Sequence, residues 1–295
     1  MAQPRGYQSD QSAAAAARQR EHEQQQKRLV ARAAQIEHEI LIISGKGGVG
    51  KSTVAANLAR ALAARGSRVG LLDADIHGPT IPLMMGLRDR RAAAMGETLL
   101  PVAVAENLHV MSLAFLLEDP TQPVIWRGPL RSGVIRQFIA DVAWGDLEFL
   151  VVDLPPGTGD EPLTVAQSFP KADGAVIVTT PQEASLSDCR KAINFVRAVN
   201  LPVLGVIENM SGFVCPHCGQ RTDIFAEGGG RRMAAEMGVP FLGALPLAPE
   251  IVSLGDAGKS LLDPDVSQAV RQPLEDVVAV LLDQVREQRA AGRGG

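Results

Sequence analysis

The chain has 295 residues, a formal net charge of −4 and a hydrophobic fraction of 46%, with only 4% aromatic residues. This length suits one large α/β domain or two small ones, with a mainly aliphatic core. The slightly acidic charge, without a long basic block, argues against binding along a nucleic-acid backbone. No apolar run reaches the roughly 18 residues that a membrane span requires, and the N-terminus lacks a signal-peptide pattern. We therefore expect a cytoplasmic protein with neither nucleic acid nor membrane as a partner.

Residues 1–38 have a biased composition that is rich in Ala, Gln, Arg and Glu. Their helix propensity is good but their apolar stripe is poor, which favours a disordered or loosely helical extension. From residue 39 onward, short apolar runs alternate with helical patterns. We therefore predict one domain over residues 39–290, followed by a disordered tail at 291–295.

Continuous apolar runs in the predicted domain are typical of buried strands. These runs occupy residues 40–44, 68–73, 149–153, 175–179, 203–207 and 240–245. Helical patterns occupy residues 52–65, 185–199 and 266–289. Because the runs do not alternate with polar residues, they predict a mainly parallel sheet covered on both faces. The predicted fold class is a doubly wound α/β domain, in which ligands bind at the carboxyl ends of the strands.

A glycine-rich loop lies between the first predicted strand and the helix after it, and it matches the phosphate-loop pattern G-x-x-x-x-G-K-S/T. Its residues are Gly45, Lys46, Gly47, Gly48, Val49, Gly50, Lys51, Ser52 and Thr53. The glycines let backbone N–H groups point at phosphate oxygens, and the helix adds its positive end. Lys51 is placed for the β- and γ-phosphates and Ser52 for Mg²⁺. The loop therefore predicts a P-loop NTPase with a Mg·ATP site, because an empty glycine turn leaves Lys51 and Ser52 unexplained.

Lys46 is unusual because an ordinary phosphate loop does not require a lysine so early. A second cation there can neutralise charge that builds up on the γ-phosphate, and the alternative is an exposed turn lysine. The pattern K-G-G-x-G-K-S/T resembles the deviant Walker A loop of the MinD, ParA and nitrogenase-iron-protein superfamily. The resemblance implies a homodimer in which the early lysine of one subunit reaches the nucleotide of the other.

Aspartates follow two of the predicted strands. Asp153 ends the run FLVVD, where it can hold Mg²⁺ through water. Asp75 follows the run RVGLLD and resembles the switch I aspartate of the same superfamily, which orients the attacking water. The alternative for both, and for Asp73, is that they only cap helices or turns. The predicted catalytic residues are Lys46, Lys51, Asp75 and Asp153.

A Cys-x-x-Cys pair, Cys215 and Cys218, comes shortly after the run at 203–207. Two thiolates can hold one metal, but a four-coordinate site needs two more ligands, and His217 between them is poorly placed to join. A symmetric dimer would supply four cysteines, which fits a bridging [4Fe–4S] cluster or zinc in its place. A redox pair, a structural zinc site and an inert pair remain alternatives. Cys189, alone in a helical pattern, is interpreted as a packing residue.

Several motifs in order resemble one family. They are SGKGGVGKST, DADIHGPTIPLMMG, WRGP, VVDLPPGTGD, TTPQEASLSDCRKAINF, VIENMSGFVCPHCG and IFAEGGGRRMAAEMGVPFLGALPLAPEI. From residue 40 to about residue 262 the chain resembles the Mrp/ApbC family of iron–sulfur carrier ATPases. The resemblance implies a homodimer that binds and slowly hydrolyses ATP, holds a labile [4Fe–4S] cluster and transfers it to apoproteins. It assigns Cys215 and Cys218 to the cluster and Asn209 to the adenine edge.

Two other functions share the predicted nucleotide site. A partitioning or positioning ATPase of the ParA/MinD type has no need for the cysteine pair, and the C-terminal helical pattern here lacks a strongly basic face for membrane binding. A reductase like the nitrogenase iron protein would place its bridging cysteines differently. The favoured prediction is therefore an ATP-dependent iron–sulfur carrier.

Overall fold

The centre of the protein is an eight-stranded sheet. The computed structural model describes residues 23, 27–76, 78–96, 98–117, 128–215, 217–218 and 220–292. Most of the expected N-terminal extension, the end of the tail and the start of the WRGP motif lie outside these residues. The strands are β1 (Ile36–Ile43), β2 (Val69–Asp73), β3 (Ala93–Met95), β4 (Thr98–Leu100), β5 (Val102–Ala105), β6 (Leu108–Ser112), β7 (Leu147–Asp153), β8 (Gly174–Thr179), β9 (Val203–Glu208), β10 (Phe213–Val214), β11 (Arg221–Thr222) and β12 (Phe241–Ala244).

Helices cover both faces of this sheet. They are α1 (27–33), α2 (Lys51–Ala64), α3 (Ile81–Met84), α4 (Gly128–Asp141), α5 (Asp160–Ser168), α6 (Glu183–Ala198), α7 (Gly229–Met237), α8 (Pro249–Asp256) and α9 (Gln268–Gly292). Helix α2 packs with α9, whereas α6 packs with α7. The crossovers β1–α2–β2 and β8–α6–β9 run in opposite directions along the sheet, so right-handed connections place α2 and α6 on opposite faces.

The strand order is β12-β9-β8-β1-β7-β2-β6-β5. All neighbouring pairs are parallel except β5 with β6 at one edge. The central strands are nearly wholly buried, because their aliphatic side chains face helices on both sides. The doubly wound, mainly parallel fold that the sequence predicts is therefore confirmed.

Each of the six predicted strands is present, but four further strands lie between residues 93 and 112. Strand β6 adds to the sheet beside β2, and β3 and β4 form a separate two-stranded hairpin. Strand β3 is exposed throughout and β4 is half-buried, so neither has the apolar pattern of a central strand. Among the described residues, none of the helices combines the length and the hydropathy needed to cross a bilayer.

The folded core begins before residue 39. Strand β1 starts at Ile36, and Leu29 in α1 is buried in the same hydrophobic cluster as Ile36. Arg28 in α1 forms an ion pair with Asp141 at a distance of 3.1 Å. The end of the expected extension therefore packs onto the sheet.

Glu39, near the start of β1, is a buried carboxyl group that is only 4% exposed. Within the described part of the chain, neither of its carboxylate oxygens has a hydrogen-bond partner. Burial raises the pKa of Glu39 from 4.5 to about 7, the nearby charge of Asp173 adds to this effect, and Lys171 opposes it. The folded protein therefore favours the neutral carboxyl group.

Replacing Glu39 with glutamine should remove a pH dependence of stability. The folded state holds this proton more tightly than the unfolded chain, so wild-type stability falls as the pH rises from about 4.5 through about 7. Between about pH 4 and about pH 8, the free energy of unfolding of the wild type should fall by roughly 3 kcal/mol relative to that of Glu39→Gln. Urea denaturation at a series of pH values measures this difference.

Glu37→Gln is the matched control, because Glu37 is exposed on the same strand. This control should follow the wild-type curve. Parallel pH curves for Glu39→Gln and the wild type would contradict the assignment of the proton to Glu39.

Candidate nucleotide site and cysteine hairpin

The predicted phosphate loop connects β1 to α2 at the carboxyl edge of the sheet. Gly48 and Gly50 have φ angles of +80° and +81°, in the left-handed region that glycine adopts without a steric penalty. These two glycines turn the chain sharply before α2 begins at Lys51. The loop therefore has the strand–turn–helix context that the motif requires.

Lys51, Ser52 and Asp153 form one buried cluster at the base of the loop. The Lys51 Nζ donates to Asp153 Oδ1 at 2.6 Å, and the Ser52 Oγ donates to Asp153 Oδ2 at 2.6 Å. Lys51 is 6% exposed and Asp153 is fully buried, so each charge is compensated by the other. The structure thus brings together the predicted phosphate-binding lysine and the two residues predicted to hold Mg²⁺. A hydroxyl oxygen and a carboxylate side by side are ligands that suit this ion.

Asp73 lies directly beside Asp153, because the two residues are paired in the register of β2 and β7. It accepts hydrogen bonds from the Asp75 backbone N–H at 3.2 Å and from the Ser112 Oγ at 3.0 Å. Burial raises the pKa of Asp73 well above its ordinary value, and the charge of Asp153 adds to this effect. Burial also raises the pKa of Asp153, but Lys51 and Ser52 oppose that shift. Asp73 therefore belongs to the buried cluster around Asp153, and sequence reasoning did not assign it to the site.

A polar cavity of about 230 Å³ lies above this cluster. It is lined by Ser44, Lys46, Gly47, Gly48, Gly50, Lys51, Ser52, Thr53, Asp75, Gly78, Thr80, Met84 and Pro156. Eight predicted site residues therefore face one space: Lys46, Gly47, Gly48, Gly50, Lys51, Ser52, Thr53 and Asp75. Asp153 lies beneath the cavity and contacts it through Lys51 and Ser52.

A second, mainly apolar cavity of about 320 Å³ adjoins the first and shares Gly50, Thr53, Thr80 and Met84 with it. Its further walls come from α8 and the chain after β12, including Leu247 and Ile251. One cleft with a polar end and an apolar end matches the two parts of a nucleotide. Sequence reasoning missed the apolar wall, although the position of residues 245–251 after a strand end indicates a place at this edge.

Asn209, the residue predicted to meet adenine, lines this apolar cavity. Its side chain is 7% exposed, and its Nδ2 donates to the backbone carbonyl of Val49 in the phosphate loop at 2.9 Å. The packing leaves no room for a side chain at Gly50 against this amide. Asn209 therefore braces the loop, and its contact with adenine stays a prediction.

The cysteine pair lies on a short hairpin formed by β10 and β11. The backbone N–H of Cys215 donates to the carbonyl of Gln220 at 3.0 Å and closes the turn. Cys215 is half-buried and Cys218 is exposed, while Cys189 is buried in α6. Burial raises the pKa of Cys189 to about 12, in agreement with its interpretation as a packing residue.

The sulfur of Cys215 accepts hydrogen bonds from the hairpin itself. The backbone N–H groups of Cys218 and His217 donate to it, the Cys218 thiol adds a further contact, and together they lower the pKa of Cys215. Backbone N–H groups that converge on a cysteine sulfur favour a thiolate and are a feature of metal–thiolate sites. In the part of the chain that the structure describes, no three His, Cys, Asp or Glu side chains are grouped to hold a metal ion. One described chain therefore offers two cysteine sulfurs and does not complete a four-ligand site.

Comparisons with known proteins show what this chain is similar to. A protein-family model described as "ParA: NUBPL iron-transfer P-loop NTPase" matches residues 35–282. An "Iron-sulfur cluster carrier protein" of Methanocaldococcus jannaschii is 50% identical over 247 residues, which cover 83% of this chain and 85% of the relative. A "Cytosolic Fe-S cluster assembly factor CFD1" of Eremothecium gossypii is 46% identical over 266 residues, which cover 88% of this chain and 95% of the relative.

A solved structure is similar as well. It is a nucleotide-binding protein of Archaeoglobus fulgidus in complex with ADP and with cobalt, and its TM-score to this chain is 0.70. The two sequences are 42% identical over an alignment that covers 79% of this chain and 91% of the other. The similarity therefore extends over nearly the whole described domain.

Removing the Asp153 carboxylate should destabilise the protein more than removing the whole ion pair. Asp153→Ala leaves the Lys51 ammonium buried without its anion, which lowers the free energy of unfolding by about 3 kcal/mol. Adding Lys51→Met removes the unpaired charge, and the double variant should recover most of that loss. Urea denaturation at neutral pH measures both values.

Asp146→Ala is the control for this pair of variants, because Asp146 is exposed. It should change the free energy of unfolding by less than about 0.5 kcal/mol. If the double variant is no more stable than Asp153→Ala alone, the buried ion pair is not what stabilises the side-chain cluster of Lys51, Ser52 and Asp153.

Proposed function

The chain belongs to the ParA/NUBPL family of iron-transfer P-loop NTPases, and from this premise we propose that it binds and hydrolyses ATP and carries a [4Fe–4S] cluster to apoproteins. The main support for this proposal is the position of the cysteine hairpin. The sulfur of Cys215 accepts backbone N–H hydrogen bonds, and a short segment joins the hairpin to the nucleotide cleft. A nucleotide switch alone has no need for such a hairpin. Four sulfur ligands suit a cluster of this kind.

Lys51 changes its partner when the triphosphate binds. In the described structure its ammonium contacts Asp153, and the phosphates offer it a competing anion. As Lys51 turns to the phosphates, Asp153 and Ser52 are left to hold Mg²⁺. The bound ion supplies electrostatic stabilisation of the phosphoryl oxygens.

Asp75 and Lys46 are proposed to act on the γ-phosphate end of the cavity. The Asp75 Oδ1 accepts from the Gly78 N–H at 3.3 Å, so its carboxylate is part of the loop that follows β2. From there it orients the attacking water. Lys46 is half-buried at the open side of the phosphate loop and extends to the nucleotide of a second copy of this chain.

The apolar cavity is proposed to receive adenine. An amide side chain has two N–H donors and one oxygen acceptor, and Asn209 uses one donor on Val49. The remaining donor and the oxygen are the groups that would meet the base edge. The wall from Leu247 and Ile251 supplies the apolar surface on which the ring packs.

The cluster is proposed as cargo that two copies of the chain share. Cys215 and Cys218 of each copy supply two thiolates, so a symmetric dimer supplies four. This stoichiometry agrees with the two-thiolate hairpin of the described chain. Zinc can occupy the same four sulfurs in place of the cluster.

The names of the relatives support delivery to other proteins. The Methanocaldococcus jannaschii relative is called a carrier and the Eremothecium gossypii relative a cytosolic assembly factor. We therefore propose that the clients are iron–sulfur apoproteins and that this chain acts in the cytoplasm.

The cluster proposal predicts a colour that depends on two cysteines. Protein reconstituted anaerobically with iron and sulfide should absorb broadly near about 400 nm, as thiolate-bound [4Fe–4S] clusters do. Cys215→Ala and Cys218→Ala should each abolish this absorbance. Cys189→Ala, the control, should keep it because Cys189 is buried in α6. Colourless wild-type protein with intact ATP hydrolysis would refute the carrier function and favour a partitioning ATPase.

A phosphate-loop variant should lose ATP hydrolysis and keep its iron–sulfur cluster content. Lys51→Ala should lower kcat for ATP by about 100-fold or more, because it removes the cation that faces the transferred phosphate. At saturating iron and sulfide its cluster content should stay that of the wild type, because the cysteines lie on another loop. Lys171→Ala, at an exposed position far along the chain, is the control. Loss of the cluster in Lys51→Ala alone would mean that the two sites assemble as one unit.

A further inference from the structure

The nucleotide cleft and the cysteine hairpin are joined by a short stretch, residues 208–213, called the linking segment here. We propose that the linking segment couples the two sites, with Asn209 and Met210 as the positioning residues that sense the nucleotide. A bound nucleotide then changes the reactivity and the metal affinity of Cys215 and Cys218. This proposal rests on the proposed function for the nucleotide in the cleft and for the identity of the cargo.

The first part of the linking segment is a wall of the nucleotide cleft. Asn209 and Met210 both line the apolar cavity. Asn209 also holds the phosphate loop through the 2.9 Å bond from its Nδ2 to the Val49 carbonyl. Its backbone N–H donates to the Thr179 carbonyl of β8 at 2.7 Å. A ligand that enters the cleft therefore contacts this segment directly. A shift of the phosphate loop would also move the segment, because Asn209 is bonded to Val49.

The second part of the linking segment is held by a buried carboxylate. Glu208, at the end of β9, is 1% exposed and accepts from the Ser211 Oγ at 2.6 Å and from the Gly230 N–H of α7 at 2.5 Å. Two backbone hydrogen bonds also tie the segment to residues 245–247, which follow β12 and lead into the wall of the apolar cavity. They are Ser211 N–H to Leu245 carbonyl at 2.9 Å and Leu247 N–H to Gly212 carbonyl at 2.8 Å.

Met210, between these two anchored parts, has a φ angle of +56°. This conformation is uncommon for a residue with a side chain and persists where the surroundings enforce it. Only four residues separate Met210 from Cys215, and two of these, 213 and 214, form β10 of the hairpin. This connection is short and hydrogen-bonded along its length, so it cannot absorb a displacement. A change in position at Met210 is therefore transmitted to the cysteines.

Coupling of this kind acts in both directions. If a nucleotide changes the affinity of the hairpin for its cargo, the cargo changes the affinity for the nucleotide by the same factor. Coupling factors between linked sites are typically about 5-fold to 150-fold. The linking segment would therefore let the state of the nucleotide regulate loading and release of the cargo.

The reactivity of the cysteines provides a test that needs no iron. Cys189 is 1% exposed and its raised pKa makes it unreactive, so alkylation of the full chain reports only on the hairpin. Peptide mass spectrometry gives the rate of iodoacetamide modification at Cys215 and Cys218, with and without saturating Mg·ADP. In the wild type the nucleotide should change these rates by about fivefold or more.

Ser211→Ala should weaken the coupling between the two sites without changing the affinity for the nucleotide. It deletes the hydroxyl that contacts Glu208, and it alters neither a cavity-lining side chain nor a cysteine. The affinity for Mg·ADP should stay within about twofold of the wild type, while the response of the alkylation rate should fall below about twofold. Ser168→Ala is the matched control, because Ser168 is buried with its Oγ bonded to the Thr164 carbonyl in α5. This control should keep the full response.

Met210→Gly is a second variant in case Ser211→Ala does not fold. Glycine adopts a positive φ angle without strain, so this variant should fold and loosen the linking segment. With Mg·ADP raised to saturation, its alkylation response should also fall below about twofold.

Three results would overturn the proposal: a wild-type rate that does not respond to saturating Mg·ADP, a wild-type chain that does not bind Mg·ADP, or variants that respond like the wild type. Because the assay contains neither iron nor sulfide, it is independent of the cluster test. A chain that responds to nucleotide but takes up no cluster would refute the carrier function and retain the coupling.

Discussion

A buried ammonium group needs a buried anion, and this requirement organises the nucleotide end of the protein. The pair formed by Lys51 and Asp153 joins the start of α2 to the end of β7 at 2.6 Å. It also brings Ser52 to the same carboxylate. Asp73 lies beside this pair, and burial raises the pKa of its carboxyl group. One buried ion pair therefore holds together the phosphate-loop lysine and the two side chains that are candidates for Mg²⁺ binding.

The parallel sheet places the other segments of the site at the same edge. Strands β1, β2, β7 and β9 all end there, so the phosphate loop, the aspartates and the segment after β9 converge. The apolar cavity lies between the phosphate loop and residues 245–251, and the cysteine hairpin follows a few residues after its wall. One domain thus carries a phosphate-loop cleft and a cysteine pair close to each other. On the account proposed here, a second copy of the chain completes both.

Much of this could be predicted from the sequence, because the relevant signals are local. The apolar runs predict the central strands, and the loop motif predicts the residues that line the polar cavity. Strands β3 to β5 were missed because short, partly exposed strands lack a continuous apolar run. Strand β6 is mostly buried, but His109 interrupts its apolar run. The role of Asp73 depends on the register between β2 and β7, which no local pattern contains. The brace from Asn209 to Val49 likewise joins residues far apart in the chain and follows only from the packing.

The cysteine hairpin of one chain is half of the proposed cluster site. Native mass spectrometry of the anaerobically loaded protein is the sharpest test of this half-site, because it reports the number of chains and the inorganic mass in one species. The iron-containing species should have two chains and one [4Fe–4S] cluster, and chains without iron should carry no sulfide either. A cluster or metal ion held by a single chain, or a dimer that forms fully without any inorganic mass bound when iron and sulfide are in excess, would contradict it.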